Sequence, residues 1–103
     1  MTIIVFYITH PDQNTAQAIA KKCVEQKLAA CANIFPITSN YLWDQEFKED
    51  QEYVSILKTS TENRQRLQNF IESIHPYEVP CILSYMAEVN DSYGEWIKSS
   101  VIE

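Results

Sequence analysis

A chain of 103 residues with a formal charge of −6, fourteen acids against eight bases, lacks the basic footprint that binding to nucleic acid or to an anionic membrane requires. Hydrophobic residues make up 46%, with six Tyr, four Phe and two Trp, which is material for one core in one domain, residues 1–103. The only glycine is Gly94, so flexible linkers and glycine-lined phosphate loops are excluded.

Residues 2–9, TIIVFYIT, are apolar at nearly every position. Ile3, Val5 and Tyr7 alternate with Ile4, Phe6 and Ile8, so both faces are apolar, as in a central strand covered on both sides. His10-Pro11-Asp12 breaks the run, and Asp12 is placed to cap a helix ending near Lys27. Ala16, Ile19, Ala20, Cys23 and Val24 recur in that helix at helical spacing. From Leu28 to about Trp43 the chain reads as extended, with Pro36 marking an edge position or a bulge.

Residues 44–52, DQEFKEDQE, read as a polar hairpin loop, and 53–59, YVSILKT, as the returning strand. Thr59-Ser60-Thr61-Glu62 has the form of a capping box with Thr59 as the cap. Leu67, Phe70, Ile71 and Ile74 form a helical stripe that Pro76 terminates. Residues 79–89 predict a last strand, and Tyr93, Trp96, Ile97 and Val101 one side of a short tail helix. The order βαββαβ plus a C-terminal helix is an α+β, ferredoxin-like sandwich.

Two helices cover one face of a four-stranded sheet, yet the strands are apolar on both faces. The second face would be a large exposed apolar patch unless sister copies hide it, so self-association is expected. Cys23, Cys31 and Cys81 are an odd number with no close pair. No leader-like segment precedes the first strand, and no apolar run approaches the ~20 residues of a membrane span. A reduced, cytoplasmic protein is expected.

Several segments in order resemble the CutA divalent-cation-tolerance family: Thr9-x-Pro11, Leu28-Ala29-Ala30-Cys31-Ala32-Asn33-Ile34, Ser39-x-Tyr41-x-Trp43, Lys58-Thr59, His75-Pro76-Tyr77-Glu78-Val79-Pro80 and Tyr93-x-x-Trp96-Ile97. The resemblance runs from about residue 3 to residue 98. It implies a ferredoxin-like subunit in a homotrimer with the sheets facing inward, a link to metal tolerance, and copper binding of the kind proposed for some members. That trimer also resembles the PII signalling proteins, which hold small ligands in clefts between subunits. In copper-binding members the resemblance puts a cysteine near the end of the first strand and paired histidines before the proline-tyrosine. Here those positions hold Ile8, Ile74 and His75. The acid that usually follows the HPYEVP string is Cys81, and Asp44-Gln45 stands where a hairpin glycine is common.

Ligand-capable side chains are His10, Cys31, His75, Glu78 and Cys81, without the short paired spacing of a structural zinc site. A weak site for copper or another divalent metal would combine His75 and Glu78 with Cys31 or His10. Against it, isolated Cys and His residues often pack in cores and strands. Tyr41, Trp43, Lys58 and Tyr77 would line a cleft between subunits for a small anionic or planar ligand, although Tyr77 equally reads as a plug at a chain corner. No catalytic triad, arginine-bearing phosphate loop, base-flanked aromatic platform or Cys-x-x-Cys is present, so binding, signalling or scaffolding is expected and turnover is not.

Overall fold

In the computed structural model, which describes residues 1–102, eight elements follow the expected order. They are β1 (Thr2–His10), α1 (Gln13–Glu25), β2 (Cys31–Trp43), β3 (Glu46–Thr59), a 3-10 turn (Thr61–Asn63), α2 (Arg64–Ile74), β4 (Ile82–Glu88) and α3 (Asp91–Ser100). One antiparallel sheet runs β2-β3-β1-β4, leaving β2 and β4 as edges.

Helix α1 starts where Asp12, in extended backbone, accepts the Thr15 N–H at 2.7 Å. It ends with Lys27 in the left-handed region at φ 60, which lets the Leu28 N–H reach the Cys23 carbonyl at 2.9 Å. Ala16, Ile19, Ala20 and Cys23 are its buried stripe. Leu67 and Ile71 of α2 join them over Ile4, Phe6, Ile8 and Leu57 to make the larger core. Period 2 in the strands and 3.6 in the helices bring these side chains to one layer.

The opposite face is built from the alternate residues. Here α3 does what two helices could not: Ile97 and Val101 pack on Ile3, Val5 and Ala30 as a second, smaller core. Gly94 allows that approach, since a Cβ there would stand 2.5 Å from the Met1 sulfur. The tail helix therefore closes part of the face expected to be bare. Past it, Phe35, Leu83 and Tyr85 stay exposed, the last two at 50% and 48%.

Three expectations are corrected. Residues 44–52 are not a loop: Asp44 and Gln45 alone make the turn, both at positive φ (51 and 66), and β3 starts at Glu46. The register continues unbroken to Trp43 opposite Glu46, so the polar run is a strand with both faces largely in water. Thr59 caps no helix; it remains in β3, and its hydroxyl donates to the Leu28 carbonyl at 2.7 Å. The last strand is shorter than 79–89, because irregular backbone occupies the residues between α2 and Ile82.

Candidate functional site

Beyond the reach of α3, the sheet face and the segment joining α2 to β4 enclose an open recess of about 750 Å³. Alternation along the long hairpin supplies one wall. Tyr41 and Trp43 from β2 lie across from Lys48 and Glu46 of β3, and Asp50 and Glu52 follow Lys48 at every second residue on the same face. Tyr77, Glu78, Val79 and Cys81 supply the other wall, with Thr9 and Pro11 at the end of β1.

The joining segment is held by histidines. His75 caps α2 in extended backbone. Its Nε2 donates to the Thr9 carbonyl at 2.8 Å, and its Nδ1 accepts the Tyr77 N–H at 3.1 Å. Because a carbonyl only accepts and an amide N–H only donates, this pair of bonds sets the tautomer. On one side the imidazole stacks on His10, ring centroids 5.3 Å apart; on the other Tyr77 leans on it at 4.9 Å. His10 is fully buried, with Nε2 2.8 Å from the Ser55 hydroxyl and Nδ1 without a partner. Burial, with the His75 charge second, lowers its pKa to about 4.

Within the recess the phenols serve the carboxylates. Tyr77 donates to Glu52 at 2.5 Å, and Tyr41 donates to Asp50. Burial and then the Glu52 bond drive the Tyr77 phenol well above its ordinary range, and the Asp50 bond raises that of Tyr41. Burial lifts the Cys81 thiol, and the Glu52 charge adds to the shift. Lys48 is spoken for by Glu46, 3.1 Å away.

The residues singled out from the sequence are thus divided. Tyr41, Trp43, Tyr77 and Glu78 come together in the recess, with His75 and His10 behind it. Lys58 does not line it; it donates to the Tyr93 hydroxyl at 3.3 Å, and the cation of the recess is Lys48. Cys31 is also elsewhere, 3.3 Å from the same Tyr93 hydroxyl. Lys48, Asp50 and Glu52 were hidden by the loop reading of 44–52. Their spacing at every second residue, matched by Tyr41 and Trp43, is the signal that marks them.

A copper or other divalent ion does not fit these donors as they stand. Both nitrogens of His75 are engaged, and those of His10 are buried. Among the described residues no group of three or more His, Cys, Asp and Glu side chains is placed to hold a metal ion.

The family model described as CutA1 divalent ion tolerance protein matches residues 4–100. The chain belongs to the CutA1 family. A Thermus thermophilus relative named divalent-cation tolerance protein CutA is 42% identical over 98 residues, covering 93% of this chain and 95% of that relative. Among solved structures, CutA1 from Ehrlichia chaffeensis superposes with a TM-score of 0.92 at 38% identity, over 95% of this chain and 94% of that one. CutA from Archaeoglobus fulgidus, described as periplasmic, gives 0.91 at 35% identity, over 99% and 100%. Both superpositions extend over nearly the whole chain, so the sheet and helices described above are those of the CutA1 fold.

Proposed function

We propose that this chain contributes to divalent-cation tolerance as a non-catalytic homotrimer that responds to a small ligand held in the recess beside Tyr41, Trp43 and Tyr77. The carrying observation is the recess itself: about 750 Å³, walled by aromatics and carboxylates, and built on a corner fixed by the hydrogen bonds of His75 and Tyr77. The two tyrosines there are held by carboxylates, a pre-organised arrangement that suits binding. No nucleophile in it is paired with a base, and the Cys81 thiol is pushed up rather than down by partial desolvation and the Glu52 charge, so turnover has no support.

Assembly is supported by the same face, where Phe35, Leu83 and Tyr85 are exposed between the recess and α3. Three free cysteines support a reducing, cytoplasmic setting. Direct metal binding through His75, Glu78 and Cys31 or His10 draws no support from the geometry, so tolerance is assigned to ligand response. A thermal-shift screen of nucleotides, organic acids and amines tests the reading: a stabilising ligand whose effect is lost in Trp43→Ala is expected. Equilibrium dialysis with copper and zinc, on wild type and His75→Ala, is expected to give indistinguishable binding. Metal retained by wild type and lost by the variant would reverse the assignment.

A further inference from the structure

Charge and shape in the recess go further than the presence of a ligand and point to its class. Asp50, Glu52 and Glu78 line it, and among the described residues none of the three is in an ion pair. The single lysine on the wall is already bridged to Glu46. Glu52 is the telling group. It is only 9% exposed, accepts the Tyr77 phenol, and lines the recess with no ion-pair partner. A carboxylate this little exposed attracts a cation that reaches it more strongly than one in open water would, because the pair is less screened. Trp43 and Tyr41 line the same recess, and aromatic rings attract cations over their faces.

We propose that the recess takes an organic cation, an ammonium or guanidinium head on an apolar body, with Glu52 as its principal charge partner and Trp43 and Tyr41 as its aromatic wall. An anionic ligand would meet three carboxylates for one occupied lysine, so the sign of the recess selects against it. A bare divalent ion would lack a coordination shell, since among the described residues no group of three or more His, Cys, Asp and Glu side chains is placed to hold one. An ammonium or guanidinium needs no such coordination shell: a carboxylate, an aromatic wall and the apolar side chain of Val79 suffice.

This inference rests on the small-ligand reading, and the test separates the two. Trp96→Phe leaves Trp43 as the sole tryptophan reporter in the full-length, assembled protein. Agmatine (ammonium and guanidinium), glutarate (an anion of similar length) and zinc chloride alone are then titrated by calorimetry and fluorescence. Agmatine is expected to bind, shift the Trp43 emission and raise Tm by about 2 °C or more at saturation. Glu52→Gln keeps an acceptor for Tyr77 and is expected to weaken agmatine binding about 10-fold or more. Glu72→Gln, which removes an exposed acid of α2 outside the recess, is expected to bind within about 3-fold of wild type, and Glu52→Gln to keep the far-UV circular dichroism of wild type, which guards against a folding defect read as lost affinity. Glutarate binding in preference to agmatine overturns the cation assignment and leaves the small-ligand reading standing. Agmatine affinity unchanged in Glu52→Gln, or a Trp43 response to zinc alone, also overturns it.

Discussion

His10 shows how one side chain can set a solution property of the whole protein. It is buried against Ser55 and His75, with Glu52 and Asp12 the nearest acids, and holds a pKa of about 4 against 6.5 for the free group. Above pH 6.5 both folded and unfolded chains carry it neutral, and its contribution to stability is complete. As pH falls from 6.5 towards 4 the unfolded chain takes up the proton and the folded one resists, so stability drops through that window, by about 3 kcal/mol in all. His10→Gln keeps a hydrogen bond for Ser55 and removes the titration. Urea unfolding at about pH 7 and about pH 4.5 is expected to show a smaller loss in the variant than in wild type. Equal losses would place the acid sensitivity in other groups.

At the scale of elements, the β2–β3 hairpin and α2 carry opposite kinds of risk. The hairpin turns on Asp44 and Gln45, both at positive φ, a conformation that Asp tolerates and Gln disfavours. This is the turn geometry that favours Asn-Gly or Asp-Gly. Gln45→Gly converts the present turn into Asp-Gly and is expected to stabilise the protein by about 1 kcal/mol, read as a higher urea midpoint with an unchanged slope. In α2 the exposure is to cavity formation. Leu67 is fully buried in the larger core, so Leu67→Ala is expected to cost roughly 3 kcal/mol. A cost well under 1 kcal/mol would mean that α2 collapses onto the sheet to fill the gap. The 3-10 turn before α2 belongs to the same element, and the Asn63 amide links it to the Ile102 carbonyl at 2.6 Å.

For the whole molecule, the sheet has two unequal coverings. One face is sealed by α1 and α2, while the other is closed by α3 over Ile3 and Val5 and left open across Phe35, Leu83 and Tyr85. Proposed trimer formation would hide these side chains. Replacing Leu83 and Tyr85 by Glu leaves both cores untouched, because neither residue belongs to them. The double variant is expected to sediment as a folded monomer at micromolar concentration, where wild type is expected to sediment as a trimer. A wild-type monomer would remove assembly from the function proposed for this chain.

Element order, the apolar stripes and the family strings are legible in the sequence by itself, because each depends on spacing between near neighbours. Ile4, Phe6 and Ile8 alternate, and Leu67 and Ile71 recur at helical spacing, whatever they later touch. What only the tertiary structure decided depends on partners distant along the chain. The segment Glu46–Glu52 looks like a loop until β2 pairs with it, since a strand with both faces in water carries no apolar alternation. His75 looks like a metal ligand until Thr9, 66 residues away, and the Tyr77 amide engage both its nitrogens. The acidic recess likewise exists only where three separate stretches meet, and that convergence leaves no local pattern to read.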